Sequence, residues 1–240
     1  MNNIVSDLLL RTFSYIPYSV NYLIICKEWN IYYRKAIGRY PIQINLDNNI
    51  TQKDFDYLFN HIYNPIHTLY MYVNNNIYDL SCIKGIHTFC IYGDINIYDL
   101  TSLKGIHTLH LYINGNFIKD LTPLQGIHTL RTTIDFKDLT PLKGIHTLCL
   151  YNLNISDISF LVGIKKLYLD ACRNITDLSA LISLERLHLS YLAQTLDVSS
   201  LININKLSII DCCEIKGIKK LNLKYVKTKG SIKIYKKINT

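Results

Sequence analysis

The word Ile-His-Thr-Leu or Ile-His-Thr-Phe opens at Ile66, Ile86, Ile106, Ile127 and Ile145, and weaker copies open at Ile164, Leu184 and Ile204. The steps between them are 20, 20, 21, 18, 19, 20 and 20 residues. A fixed period near 20 admits few folds. One copy is too short to bury its own apolar face, so the copies must stack. The start of each copy alternates apolar and polar residues with period 2, the pattern of a half-buried strand. The remaining residues must make a corner, a return leg and a second corner. The return leg is therefore predicted to be a single turn of 3₁₀ or α helix, or irregular. Gly85, Gly105, Gly126, Gly144 and Gly163, each followed by the opening apolar residue, mark a tight corner before the strand rather than a phosphate cradle.

The unit Ile106-x-x-Leu109-x-Leu111-x-x-Asn114 resembles the leucine-rich repeat, whose signature is L-x-x-L-x-L-x-x-N/C. At the Asn/Cys position stand Asn74, Asp94, Asn114, Asp135, Cys172 and Cys212, while Leu153 and Leu192 break the pattern. In that family a small polar or thiol group there bonds backbone at the corner between coils. The resemblance implies an α/β solenoid with parallel strands on a concave face and short helical or irregular return legs. The first, fourth and sixth positions (Ile106, Leu109, Leu111) should line the core with Leu121 and Leu124, and the third, fifth and seventh should face the concave side. The recurring Asp79, Asp99, Asp120, Asp138, Asp157, Asp177 and Asp197 each precede a return leg. A cap that accepts backbone N–H groups is the expected role, because none has a second carboxylate beside it to make a calcium site.

Residues 1–40 do not follow the period. Ser6 as cap, Asp7 in the first turn and apolar Leu9, Leu10 and Phe13 read as a short helix ended by Pro17, and a second helical run spans about 20–36. Asp7-Leu-Leu-Leu-x-x-Phe13-Ser-Tyr-Ile16 followed by Ile25-Cys-Lys-Glu-Trp29 resembles the F-box. Its usual opening Leu-Pro is replaced by Ile4-Val5, and its connector is about two residues short. The resemblance implies an adaptor of a cullin–RING ubiquitin ligase. Leu8, Leu9, Phe13, Ile16, Cys26 and Trp29 would stand at the apolar positions that meet the Skp-type adaptor or the module's own core. The other reading of the same residues is a helical cap over the open end of the solenoid. F-box and repeat arrays of this composition resemble those of amoebae and the giant viruses that infect them. That implies a cytoplasmic location, in a host if viral, with the nucleus as the other compartment.

The chain then divides into a module over 1–40, a divergent first coil over 41–65, about eight repeats over 66–223 and a Lys-rich cap over 224–240. Within the first coil, Thr51-Gln-Lys-Asp54 opens a helix in the manner of a capping box, with Phe55, Leu58, Phe59 and Ile62 apolar. A further strand is expected at Ile232-x-Ile234, and a hinge around residues 38–41. The formal charge is +8, and residues 203–240 carry all of it, with ten Lys against Asp211 and Glu214. A solvated end cap is the plain reading. Contact with an acidic partner or with nucleic acid is the sharper one, and nucleic acid is the lesser of those two. No apolar run reaches the length of a membrane span, the start lacks a signal-peptide pattern, and seven Cys without a CxxC pair point to neither disulfides nor zinc.

The substrate-binding candidates are the concave positions Tyr70, Tyr72, Tyr92, His110, Tyr112, Arg131, Tyr151, Tyr168, Arg186 and His188, together with Cys90, Thr133, Cys149, Asp170 and Lys206. They run from neutral Tyr and Thr in the early coils to basic residues in the late ones, a gradient suited to an acidic patch on an unknown protein substrate. Tyr72, Tyr92, Tyr112 and Tyr151 should form a column. His67, His87, His107, His128 and His146 should form another, hydrogen-bonded at the corner before each strand. A straight column gives a metal at most two ligands, so no metal is expected there. No catalytic constellation or cofactor motif is present, and the chain reads as a non-enzymatic binding protein.

Overall fold

The computed structural model describes residues 42–46, 49–61, 66–74, 77–95, 97–114, 118–136, 138–229 and 232–237. The F-box-like stretch, with Leu8, Leu9, Phe13, Ile16, Cys26 and Trp29, lies outside them, as do the hinge near residues 38–41 and Ile62.

Eleven strands form one sheet, β1 (Ile42–Leu46), β2 (Ile66–Asn74), β3 (Thr88–Asp94), β4 (Thr108–Asn114), β5 (Thr129–Thr132), β6 (Thr147–Tyr151), β7 (Lys166–Asp170), β8 (Arg186–Ser190), β10 (Lys206–Ile210), β12 (Leu223–Lys229) and β13 (Ile232–Lys237). From β1 to β10 the pairs are parallel and follow chain order, one strand per coil. The short strands β9 (Leu196–Asp197) and β11 (Ile215–Lys216) pair on the return side. The architecture is a parallel β-solenoid of the leucine-rich repeat type.

The core is a column of apolar residues running the length of the stack. Ile106, Leu109 and Leu111 are buried with Leu121 and Leu124, and the same positions are buried in successive coils. Thr132 departs from the pattern. It holds the sixth position of its coil and is fully buried, and its Oγ1 accepts the N–H of Ile134 at 2.9 Å, which satisfies a polar group in the core.

The return legs are single 3₁₀ turns at Thr101–Leu103, Thr122–Leu124 and Thr140–Leu142. Each recurring Asp accepts a backbone N–H two residues on, from Ser81, Thr101, Thr122, Thr140, Ser159, Ser179 and Ser199, at 2.7–2.8 Å. This differs from a helix cap by one residue. The N-cap of the first three turns is Leu100, Leu121 or Leu139, which has no side-chain cap bond. The Asp closes an Asx turn that aims the next residue into the leg.

The Asn/Cys position works in two ways, and only one was expected. Cys172 Sγ donates to the Leu150 and Asp170 carbonyls at 3.5 Å, and Cys212 Sγ to the Ile210 carbonyl at 3.2 Å. Asp94, Asn114 and Asp135 instead are exposed, and Asn114 Nδ2 donates to Asp94 Oδ1 at 2.6 Å. Strands β3 and β4 are longer, so at Asp94 and Asn114 the ninth position still belongs to the strand end and lies at the surface, while Asp135 is exposed three residues beyond the short β5. Leu153 and Leu192 simply fill core.

Helix α1 (Gln52–His61) replaces the return leg of the first coil. Its start is a reciprocal box. Thr51 Oγ1 donates to Asp54 Oδ2 at 2.6 Å, and the Asp54 N–H points back to Thr51 Oγ1 at 3.3 Å. Buried Gln52 ties α1 to the second coil. Its Oε1 accepts the N–H groups of Tyr78 and Asp79 at 3.0 and 3.1 Å, and its Nε2 donates to the Asp79 carbonyl at 3.0 Å.

The C-terminal lysines are not a loose tail. β13 is antiparallel to β10, and β12 turns back as the outermost strand, so a hairpin closes the sheet with β13 inserted inside β12. Lysines on an edge strand discourage further pairing.

Two glycines show what the corners demand. Gly105 has φ +82° with open space where a Cβ would go. Gly217 has the same φ, but a Cβ there would stand 2.6 Å from the Ser199 backbone nitrogen. In urea unfolding, Gly105→Ala should cost about 1–2 kcal/mol, the price of a left-handed residue, and Gly217→Ala clearly more. Gln52→Ala should cost about 2–4 kcal/mol, since two backbone N–H groups lose their acceptor. Equal losses at the two glycines would contradict the corner geometry.

Candidate functional site

The face of the sheet turned away from the core carries the third, fifth and seventh positions, and cross-strand register turns each position into a column. The fifth-position column runs Tyr70, Cys90, His110, Arg131, Cys149, Tyr168, His188 and Ser208. The predicted candidates Tyr70, Tyr92, His110, Tyr112, Arg131, Tyr151, Tyr168 and His188 are partly exposed there, and Tyr72 and Arg186 are exposed.

Cys90 and Cys149 do not present themselves. Both are 1% exposed, because the larger neighbours in their columns close over them. Cys90 Sγ lies 3.3 Å from His110 Nδ1. Burial pushes the Cys90 thiol up to about 11. Burial, and then the charge of Arg131, push the His110 imidazole down to about 4. The pair is therefore neutral at physiological pH, with no thiolate to act as a nucleophile. Cys149 is likewise pushed up by burial to about 11.

Tyrosines form the seventh-position column. Tyr72 stacks on Tyr92 at 5.0 Å and 14°, and Tyr92 on Tyr112 at 5.1 Å and 6°. The column then breaks. The next coil carries Thr133, and Tyr112 and Tyr151 lean over it to meet at 5.6 Å and 51°. The two tyrosines share a side-chain hydrogen bond, and burial is the first cause of the raised Tyr151 pKa. Arg131 sits beside them. Burial opposes its charge, but Cys149, Tyr151 and Tyr112 hold its pKa above the ordinary value, and it bonds to Tyr112. Its buried Nε makes no hydrogen bond.

At the corner, the five histidines stack at 4.3–4.4 Å with interplanar angles of 13–16°. Each Nδ1 lies 2.9–3.0 Å from the hydroxyl of the following Thr. Their carbonyls stitch the coils, since the His87 carbonyl accepts the N–H groups of both His107 and Thr108. Parallel rings point their free nitrogens side by side rather than at one point. Among the described residues no group of three His, Cys, Asp or Glu could hold a metal ion. No helix among them is long and apolar enough to cross a membrane.

Sequence reading missed two features, one on this face and one on the return-leg side. The Cys90–His110 contact joins residues 20 apart that only the register brings together. Val162, Ile182 and Ile202 form an exposed apolar series on the outer turns, at 52%, 55% and 69% exposure. The signal was available, since each stands just after the buried leucine of its return leg.

No protein-family model matches the sequence, and no curated protein matches it. Among solved structures, the functional domain of InlJ from Listeria monocytogenes, which includes a cysteine ladder, is similar over 65% of this chain and 47% of that one, at 18% identity and a TM-score of 0.44. Internalin C2 (InlC2) from Listeria monocytogenes 4b F2365 is similar over 61% of this chain and 77% of that one, at 22% identity and a TM-score of 0.41. The chain spans about half the length of the InlJ domain.

The histidine column gives a pH prediction. Burial first, then the charge of neighbouring histidines or lysines, lowers the pKa values of His87, His107, His128 and His146. Above about pH 6.5 both folded and unfolded chains hold these rings neutral. As pH falls through that value the unfolded chain takes up protons first, so stability drops. The Asp residues of the Asx turns, with pKa values lowered by their hydrogen bonds to Ser or Thr, act only below the ordinary carboxylate range. The melting temperature should therefore fall between pH 7.5 and pH 5, and His87→Gln with His107→Gln should flatten that fall. Equal melting temperatures at the two pH values would contradict the ladder's electrostatics.

Proposed function

We propose that this chain is a non-catalytic protein-binding scaffold whose open sheet face holds a partner protein. We further propose that residues 4–29 act as an F-box, recruiting a Skp-type adaptor and a cullin ligase core so that the held protein becomes a ubiquitin-transfer substrate. The contribution of the chain would then be proximity. The supporting observation is the open face itself. Tyr112 and Tyr151, with Tyr92 stacked on Tyr112, stand beside an Arg131 that has no carboxylate partner among the described residues, on strands whose other face is locked into the core. Tyr and Arg on a rigid platform are the residue types that dominate interface energetics. The ligase link rests on the ordered F-box-like motifs alone.

The test has two arms. Full-length protein should co-purify with a Skp-type adaptor, and Leu9→Glu or Trp29→Ala should abolish this while leaving the repeat fold intact by circular dichroism. A folded wild-type protein that never binds the adaptor reduces the reading to a stand-alone scaffold with a helical cap. In the second arm, a candidate partner should lose affinity at least tenfold with Tyr92→Ala or Arg131→Ala, about 1.4 kcal/mol or more, and be indifferent to Lys104→Glu on the return-leg side. Loss through Lys104 instead would move the site off the sheet face.

A further inference from the structure

The register of the closing hairpin assembles a row that the linear sequence does not show. Lys166 pairs with Arg186, Arg186 with Lys206, Lys206 with Lys236, and Lys236 with Lys224. Five cations thus lie directly opposite one another on five adjacent strands, all on the open face. At the usual strand spacing of about 4.8 Å the row is about 19 Å long. Arg186, Lys236 and Lys224 are exposed, and Lys166 and Lys206 partly so. The ion pairs among the described residues lie elsewhere, between Lys165 and Glu185 at 3.2 Å and between Lys216 and Glu214 at 3.7 Å. Asp170 is the nearby acid on this face, at the far end of β7 from Lys166.

Like charges directly opposite across strands repel. Four such pairs in succession weaken the closing end of the sheet and bring it no internal contact. Neighbouring early coils fill the same register with Thr68, Thr88, Thr108, Thr129 and Thr147, so the fold does not require cations there.

We propose that this row is the binding site for an extended acidic segment of a partner protein, running across the strands with Asp or Glu at every second residue. The inference rests on the open face being the partner-binding surface, and it names the chemistry of what binds. Same-side residues of an extended chain are about 6.6–6.8 Å apart, so three or four of them span the row. A polypeptide fits better than a single-stranded nucleic acid, which needs free aromatic planes to stack on. The rings here are engaged with each other. Tyr168 packs on His188 at 5.7 Å, and the Tyr72–Tyr92–Tyr112 faces are stacked. The remaining length of the face carries Arg131 as its one basic residue outside the row, apart from histidine, among the described strands from β2 to β6.

The test is fluorescence anisotropy with the full chain and three labelled probes, namely a ten-residue Glu-Thr alternating peptide, a peptide of the same composition with its Glu in one block, and a ten-nucleotide oligouridine. The alternating peptide should bind tightest, and its binding should weaken as salt rises. Arg186→Glu with Lys236→Glu should reduce that binding at least tenfold while raising the melting temperature, because opposite charges then alternate along the row. A purely structural row would lose stability instead. Unchanged peptide binding in the double variant, or tighter binding of oligouridine, overturns the proposal. If the peptide fails while a partner still depends on Tyr92 and Arg131, only the chemistry assigned to the row is wrong. If a partner ignores the sheet face altogether, the broader reading fails with it.

Discussion

A 20-residue coil cannot exclude water from its own apolar side, and every other feature of this molecule follows from the stacking that this forces. The buried isoleucines and leucines of each coil are covered by the coils before and after it. Parallel register is the geometric result. Once Leu109 must meet Leu130 and Phe89, the residues on either side are fixed as well, and each position of the repeat becomes a column. Hydrophobic burial sets the register, and the register sets the surface.

The polar parts of the repeat serve the same end. Asx turns aim each return leg, left-handed glycines sharpen the corner before β3 to β7, and the carbonyl at the second position accepts two N–H groups from the next coil. These devices satisfy backbone groups at corners where no regular ladder reaches them. The ends of the stack need their own solutions. At one end α1 takes the place of the first coil's return leg, with Gln52 bonded across to the Tyr78–Asp79 backbone of the second coil. At the other, a hairpin reverses the chain and leaves a lysine-bearing edge.

Much of this was legible in the sequence because period and alternation report burial directly. The strand and core positions follow from the spacing of Ile106, Leu109, Leu111, Leu121 and Leu124 alone, while that spacing leaves the return leg open between a 3₁₀ turn, an α turn and irregular chain. Other features were not legible, each for a physical reason. Cys90 and Cys149 occupy outward positions yet are buried, because burial on that face depends on the size of the neighbours on the two adjacent strands. Asn114 and Asp94 sit at the surface because strand length, which the repeat does not encode, decides whether the ninth position is a corner. The basic row escaped because Lys236 and Lys224 join it through an antiparallel reversal, which no 20-residue period predicts. The adaptor-facing candidates from Leu8 to Trp29 rest on motif order, outside the described residues.

The account of the surface depends most on the hairpin's position, since β13 rather than β12 must lie against β10. Lys206→Cys combined with Lys236→Cys measures this directly. Residues paired across antiparallel strands stand about 4.5–5.5 Å apart at Cα, within disulfide reach. Mild oxidation followed by peptide mass spectrometry should show that link in high yield and none in a Lys206→Cys, Lys224→Cys variant. The reverse pattern would place β12 against β10 and dissolve the five-cation row.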